Sequence, residues 1–362
     1  MVAIIPAFLT AFLITYFAIP SIIRIAIEKN LVDEPGERRS HSQSVPTLGG
    51  LGIFAGLIFA TTFWIPFDFQ TYQEHKYVQY MLCAFIIIFL IGAKDDIIPL
   101  SPIKKMGGQV LAAFILVQYA GIQITNLYGI LGIQDIPYWV GFCITMFSII
   151  VIINALNLID GINGLSGTIG VILCFTFGGW FYLSGRLDLA VLAASMAGAL
   201  VAFLRYNVAS EIFMGDTGSL LIGLAASVLA LSFIQANTPT VVNFEQFQQN
   251  IYSVQSVPAV AIGILIIPLF DTLRVFTLRV LKRRSPFSPD RTHIHHLLID
   301  LGYSHLQATA ILGVVNVVFI ILVFSLQSIG TLELILLVIG LAAALTALVN
   351  WRLNVKIKKG HA

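Results

Sequence analysis

Charge is what this sequence most lacks. Asp, Glu, Lys and Arg together make up 10% of its 362 residues, where a soluble domain carries about 25%. So few ionic groups cannot clothe a water-facing surface, which excludes an ordinary soluble domain and any broad basic face for nucleic acid. Cysteine is scarce as well. Cys83, Cys143 and Cys174 each fall inside an apolar run, read as small core hydrophobes, and they exclude a disulfide framework. No small-residue cleavage pattern follows the first apolar stretch, so it is read as a retained helix and not a signal peptide. Solenoid-length repeats and heptad arrays are also missing.

What is present is apolar length. Hydrophobic residues make up 58% of the chain and the mean hydropathy is +0.92. Eleven runs approach the roughly 20 residues that a bilayer requires: 3–27, 48–67, 78–93, 107–122, 136–156, 164–184, 188–206, 217–235, 257–281, 308–326 and 330–350. The expectation is an all-α, polytopic integral membrane protein with about 11 transmembrane helices, in a single domain over 1–362. Basic residues set its orientation. With the N-terminus outside and the C-terminus cytoplasmic, all 20 Lys and Arg except Lys76 and Arg186 fall on the cytoplasmic side. An even helix count would put the basic tail Arg352, Lys356, Lys358 and Lys359 outside, against that rule. The cytoplasmic loops, expected to be the catalytic ones, are then 28–47, 93–107, 154–164, 206–217 and 282–307. The Gln- and Asn-rich outer stretch 236–256 is given no role.

An ionisable group at a helix centre costs about 2.5–3.5 kcal/mol on insertion scales, so each acid near a span needs a reason. Asp95, Asp96, Asp160, Asp216, Asp271 and Asp290 all fall at or near cytoplasmic helix ends, whereas a transporter is expected to keep coupling residues near the midplane. Asp95 and Asp96 close the third helix. Adjacent carboxylates repel and a helix C-terminus disfavours anions, so the pair calls for a cation or a proton-transfer role, unless it is a solvated loop partnered by Lys94. Asn154, Asn157 and Asp160 recur every three residues on one helix face, followed by Gly161 and Gly164. That suits a cation or phosphate site, or merely interhelical hydrogen bonding and an Asn-Gly turn. Asp216 is either a helix N-cap or a metal ligand. Lys104 and Lys105 are either anchors or counter-charges. The loop from Lys282 to His296 carries Arg and His able to hold phosphate oxygens, and a topology-fixing loop would not explain three histidines in four positions.

Taken in order, these motifs resemble the polyprenyl-phosphate N-acetylhexosamine-1-phosphate transferases. The resemblance runs from Val45-Pro46-Thr47-Leu48-Gly49-Gly50 through Asp95-Asp96, Lys105 with Gln109, Asn154 to Gly164 and Phe213 to Ser219, and ends at the His loop. Pro289-Asp290-Arg291-Thr292-His293-Ile294-His295-His296 looks like the WecA- and TagO-like branch, which uses UDP-N-acetylglucosamine (UDP-GlcNAc) and undecaprenyl phosphate. The peptidoglycan branch carries three consecutive histidines, and Ile294 interrupts that run here.

The resemblance implies transfer of GlcNAc 1-phosphate with release of UMP in the bacterial inner membrane, as the initiating step of envelope polysaccharide synthesis. It implies Mg²⁺, with Mn²⁺ able to substitute, on Asp216 with Asn157 beside it. Asp95 or Asp96 would be the base or orienting carboxylate, with Asp160 in support. Asn163 would read the uracil and Phe213 would stack on it, while Lys105, Arg291, His293, His295 and His296 would hold phosphates. A homodimer is implied too. The alternatives are a phospho-N-acetylmuramoyl-pentapeptide transferase, a transporter of phosphorylated metabolites and an inactive scaffold.

Overall fold

A computed structural model describes residues 3–33, 45–65, 72–238, 254–283 and 292–360. Arg291, Asp290 and most of the Gln- and Asn-rich stretch lie outside the described residues. The chain is an all-α polytopic membrane protein. In order the helices are α1 (Ile4–Glu28), α2 (Gly49–Trp64), α3 (Tyr72–Ile97), α4 (Pro102–Gln118), α5 (Tyr138–Leu158), α6 (Leu165–Leu183) and α7 (Leu187–Asn207). They continue as α8 (Gly215–Ala236), α9 (Val257–Ile264), α10 (Ile266–Leu281), α11 (Ile294–Asp300), α12 (His305–Ser325) and α13 (Thr331–Gly360). Eight of these are long and apolar enough to cross a membrane, or nine if α9 and α10 count as one bent span. Each of the eleven apolar runs becomes helical, but α2 and α4, at 16 and 17 residues, are short for a crossing.

The bundle is built around α8, whose apolar length is enclosed throughout by other helices. It is rich in small residues, including Gly218, Gly223, Ala225, Ala226 and Ser227, which let neighbouring backbones come close. Helices α2, α3, α5, α6, α7 and α9 pack on it, α1 lies outside against α2 and α7, and α4 lies against α3 and α5. On the far side α12 packs on α6 and α9.

The run 257–281, expected as one helix, breaks at Leu265 with a bend of 83°. The cause is Pro268. Proline has no N–H to bond the carbonyl four residues back, and its ring clashes with that carbonyl. The orphaned Ile264 carbonyl instead accepts from Asn316 Nδ2 at 3.2 Å, so a polar side chain on α12 satisfies the break. The cysteine expectation also needs correction. Cys174 is buried, whereas Cys83 and Cys143 face outward. Where the surroundings are lipid, an apolar side chain gains little by facing inward.

The α2 start is locked to the α8 start. Strands β1 (Val32–Asp33) and β2 (Val45–Pro46) pair antiparallel, and the chain leaving β2 bonds the segment before α8. Phe213 N–H donates to the Pro46 carbonyl at 2.7 Å, Gly49 N–H to Phe213 O at 3.0 Å and Gly50 N–H to Met214 O at 2.9 Å. A Cβ on Gly50 would sit 2.3 Å from the Gly218 nitrogen, and one on Gly92 of α3 would sit 2.5 Å from the Thr217 Cα. Gly50→Ala is therefore expected to cost about 1–3 kcal/mol through overpacking, visible as a lower Tm in detergent. Gly179→Ala, where a Cβ meets nothing within 4 Å, should leave the Tm unchanged or raised.

Candidate active site

The end of α3 meets the start of α8 through Asp96. Helix α8 has no side-chain cap of its own, so its first N–H groups need outside acceptors. Asp96 supplies them: Oδ1 accepts from Asp216 N–H at 2.6 Å, and Oδ2 from Thr217 N–H at 3.1 Å and the Thr217 hydroxyl at 2.5 Å. Asp216 is thus a first-turn residue and not the N-cap, and the positive helix end favours its carboxylate.

Asp95 points elsewhere. Its Oδ1 accepts from Leu100 N–H at 2.5 Å, and its Oδ2 lies 3.3 Å from Lys105 Nζ. The same ammonium lies 2.6 Å from Asp216 Oδ1, so Lys105 bridges Asp95 and Asp216. Its neighbour Lys104 is exposed. Asn157 donates to Asp216 Oδ1 at 2.5 Å and to Ser219 Oγ at 2.8 Å. Asn154 exchanges hydrogen bonds with Gln109 across α4 and α5, at 2.6 and 3.4 Å, which is interhelical bonding and not a ligand site.

Helix α5 ends at Leu158, so Asp160 stands in the following turn and off the helical stripe that its spacing suggested. The turn reaches Gly164 at φ +83°, a left-handed position open to glycine. Gly164 N–H donates to Asn207 Oδ1 and Asn207 Nδ2 to Ile212 O. This ties the α5–α6 turn to the α7–α8 loop. On those two loops Asn163 donates to Ser210 Oγ at 2.6 Å and Phe213 is half-buried. Asp160 Oδ1 accepts from Ser166 Oγ at 2.5 Å. Burial pushes its carboxyl up to about 7; the Ser166 bond offsets part of this, and the Asp216 and Asp96 charges add to it.

The histidine loop reaches the same turn. His293 and His295 are buried, with stacked rings 5.6 Å apart, and His295 touches His296 at 4.3 Å between ring centroids. A Cβ on Gly161 would lie 2.3 Å from His295 Nε2, so the ring packs directly on the turn beside Asp160. Burial, with His296 adding to it, pushes His295 down to about 3, and the ring is neutral at pH 7.

Residues 78–234 match glycosyl transferase family 4. An undecaprenyl-phosphate alpha-N-acetylglucosaminyl 1-phosphate transferase of Yersinia pestis is 31% identical over 296 residues, 79% of this chain and 74% of the relative. The protein of that name in Escherichia coli K12 is 30% identical over 293 residues, 79% and 73% of the two chains. The chain belongs to glycosyl transferase family 4. A probable undecaprenyl-phosphate N-acetylglucosaminyl 1-phosphate transferase of Bacillus subtilis 168 is 28% identical over 366 residues, 97% of this chain and 94% of the relative.

In this glycosyl transferase the cluster suits a hard cation. Asp95 and Asp216 already hold a positive group, the Lys105 ammonium, between them, and the donors around Asp216 are oxygens and an amide. Among the described residues no three His, Cys, Asp or Glu gather as a metal cage. One or two carboxylates, completed by water and substrate phosphate, are the usual Mg²⁺ arrangement.

Sequence reading missed two contributors, Thr217 and Ser166, and placed Asp271 at a cytoplasmic helix end without giving it a role. The hydroxyls carry no pattern of their own; they matter because they meet Asp96 and Asp160. Asp271 had a signal in its spacing, since Arg274 lies one turn on, and the two pair at 3.0 Å.

Asp96→Asn is expected to lower the Tm as well as activity, since a bond to a charged group contributes about 1.5–3 kcal/mol. Asp95→Asn should lower activity with a smaller Tm change. His295 and Asp160 predict opposing pH effects. His295 lies below its ordinary 6.5 when folded, so its contribution to stability is full above 6.5 and is lost as pH falls. Asp160 lies above its ordinary 3.8, so its burial penalty is relieved as pH falls below 7. The two slopes have opposite sign, and each approaches about 1.4 kcal/mol per pH unit as pH falls towards 5. Against wild type over that range, the Tm should rise more steeply on acidification in His295→Gln and less steeply, or fall, in Asp160→Asn.

Proposed function

We propose that this chain transfers GlcNAc 1-phosphate from UDP-GlcNAc to undecaprenyl phosphate, releasing UMP, as the initiating step of lipid-linked cell-envelope polysaccharide synthesis. The observation that carries the reading is the Asp95–Lys105–Asp216 cluster, bonded by Asn157 near the end of α5, with the histidine loop packed on the turn that follows that helix, in a chain whose curated relatives bear that activity in their names. Both reactants are anionic, and phosphoryl transfer needs positioning and charge neutralisation more than covalent help.

The lipid phosphate oxygen attacks the β-phosphorus directly. The new P–O bond forms as the bond from the β-phosphorus to the bridging oxygen breaks, and UMP leaves with that oxygen. Asp95 keeps the lipid phosphate deprotonated and orients it. Lys105 and the histidines His293, His295 and His296, with Arg291, hold phosphate oxygens. Asn163 and Phe213 take the uracil. Mg²⁺, held by Asp216 with Asn157 beside it, would neutralise charge on the diphosphate. Asp160 supports the turn that carries these groups.

The membrane arrangement we propose has eleven spans, counting α2, α4 and the bent α9–α10 pair, with the N-terminus outside and the C-terminus cytoplasmic. The basic residues support it. The site then faces the cytoplasm, where the sugar nucleotide is found, while the C55 lipid reaches it from the bilayer. The enzyme is assigned to the bacterial inner membrane as a homodimer, as the family resemblance implies.

Purified protein in detergent should release UMP from UDP-GlcNAc only with undecaprenyl phosphate and Mg²⁺. Asp216→Ala and EDTA treatment should each abolish release. Release from another UDP-sugar alone would replace the donor; silence with every UDP-sugar would return the transporter reading. Exchange of labelled UMP without lipid would overturn direct attack in favour of a covalent intermediate.

A further inference from the structure

The histidine loop is held from below by a carboxylate that the mechanism above does not use. Asp271 is 2% exposed and spends both oxygens on the loop and its own helix. Oδ1 accepts from Ile294 N–H at 3.0 Å and from Arg274 Nη2 at 3.0 Å, and Oδ2 lies 2.8 Å from His293 Nδ1. Arg274 Nη2 also donates to the Thr292 carbonyl. Three successive loop residues are therefore fastened to α10. The far end of α11 is held too, by Lys356 Nζ donating to Asp300 O at 3.2 Å.

We propose that Asp271 is a positioning residue: it fixes the tautomer and placement of His293, and through ring stacking the seat of His295 against Gly161, so that the loop meets the donor diphosphate in one geometry. This rests on the transferase reading above. A buried carboxylate accepts and cannot donate. His293 must therefore carry its proton on Nδ1 towards Asp271, leaving only Nε2 to offer a substrate. The ring of His295 follows that of His293, because the two stack within 12° of parallel. Its Nε2 is buried without a hydrogen-bond partner and faces a glycine, so no polar contact of that atom seats the ring. Its placement comes from the loop's anchorage and from the space Gly161 leaves.

Asp271→Asn tests this, because it keeps the volume but turns a donor towards His293 Nδ1. ¹⁵N-histidine NMR, assigned with His293→Gln, should show the His293 proton moved from Nδ1 to Nε2. The KM for UDP-GlcNAc should rise about ten- to a hundred-fold, the scale on which a misplaced group acts. The KM for undecaprenyl phosphate should stay within about two-fold, on the rule that lost ground-state contacts show in the KM of the ligand that made them. An unchanged donor KM overturns the proposal. So does a parallel loss of kcat and both affinities with a fallen Tm, which marks a merely structural role.

Should Asp271→Asn not fold, Arg274→Gln decides. It releases Thr292 and removes the Arg274 bond to Asp271, but keeps the Asp271 bonds to His293 and Ile294, so a raised donor KM at constant acceptor KM supports the latch and an unchanged one refutes it. Wild-type protein run alongside separates the two failures: no UMP release from wild type sinks the transferase reading, whereas normal release with an unaffected variant sinks only the role of Asp271.

Discussion

Helix α8 begins where α2, α3 and α5 close on it, and the Asp96 carboxylate from α3 takes its first N–H groups. Leaving such donors unsatisfied in a low-dielectric interior is costly, and so is burying a carboxylate without partners; each group answers the need of the other. The contact requires close approach, which Gly50 and Gly92 permit by carrying no side chain where Thr217 and Gly218 pass. Once the start of α8 is set, Asp216 is set with it, and then Lys105 and Asn157, which both bond Asp216 Oδ1.

The adjacent acids are therefore unlike. Asp96 is turned towards protein and organises the helix; Asp95 is turned towards Lys105 and the open side of the cluster. Neighbouring side chains on a helix point about 100° apart, so a paired-aspartate motif at a helix end can serve scaffold and chemistry at once. On the other side of the site, Asp271 stands to the histidine loop much as Asp96 stands to α8. Both are acids on one helix that fasten the backbone of another segment.

The helices were largely legible, because hydropathy is a property of each run by itself. The break at Leu265 was also written in the sequence, as Pro268 within an apolar run, but length and composition do not weigh a single residue heavily. The faces of Cys83 and Cys143 were misjudged because lipid removes the inside-outside contrast on which periodicity depends. At the site, spacing suggested a stripe of Asn154, Asn157 and Asp160. The structure separates the three, giving Asn154 to Gln109, Asn157 to Asp216 and Asp160 to Ser166. Regular spacing gives a common face only while the helix continues, and α5 stops at Leu158.

By itself, then, the sequence determined the membrane class, the places of the helices, the family and the set of polar residues from which a site could be made. Only the tertiary structure decided which of them meet. Asp96 and Thr217 are 121 positions apart, and Asp271 and His293 are 22. A span's hydrophobicity follows from neighbours in sequence, whereas the partner of a carboxylate follows from which helix ends the packing brings together.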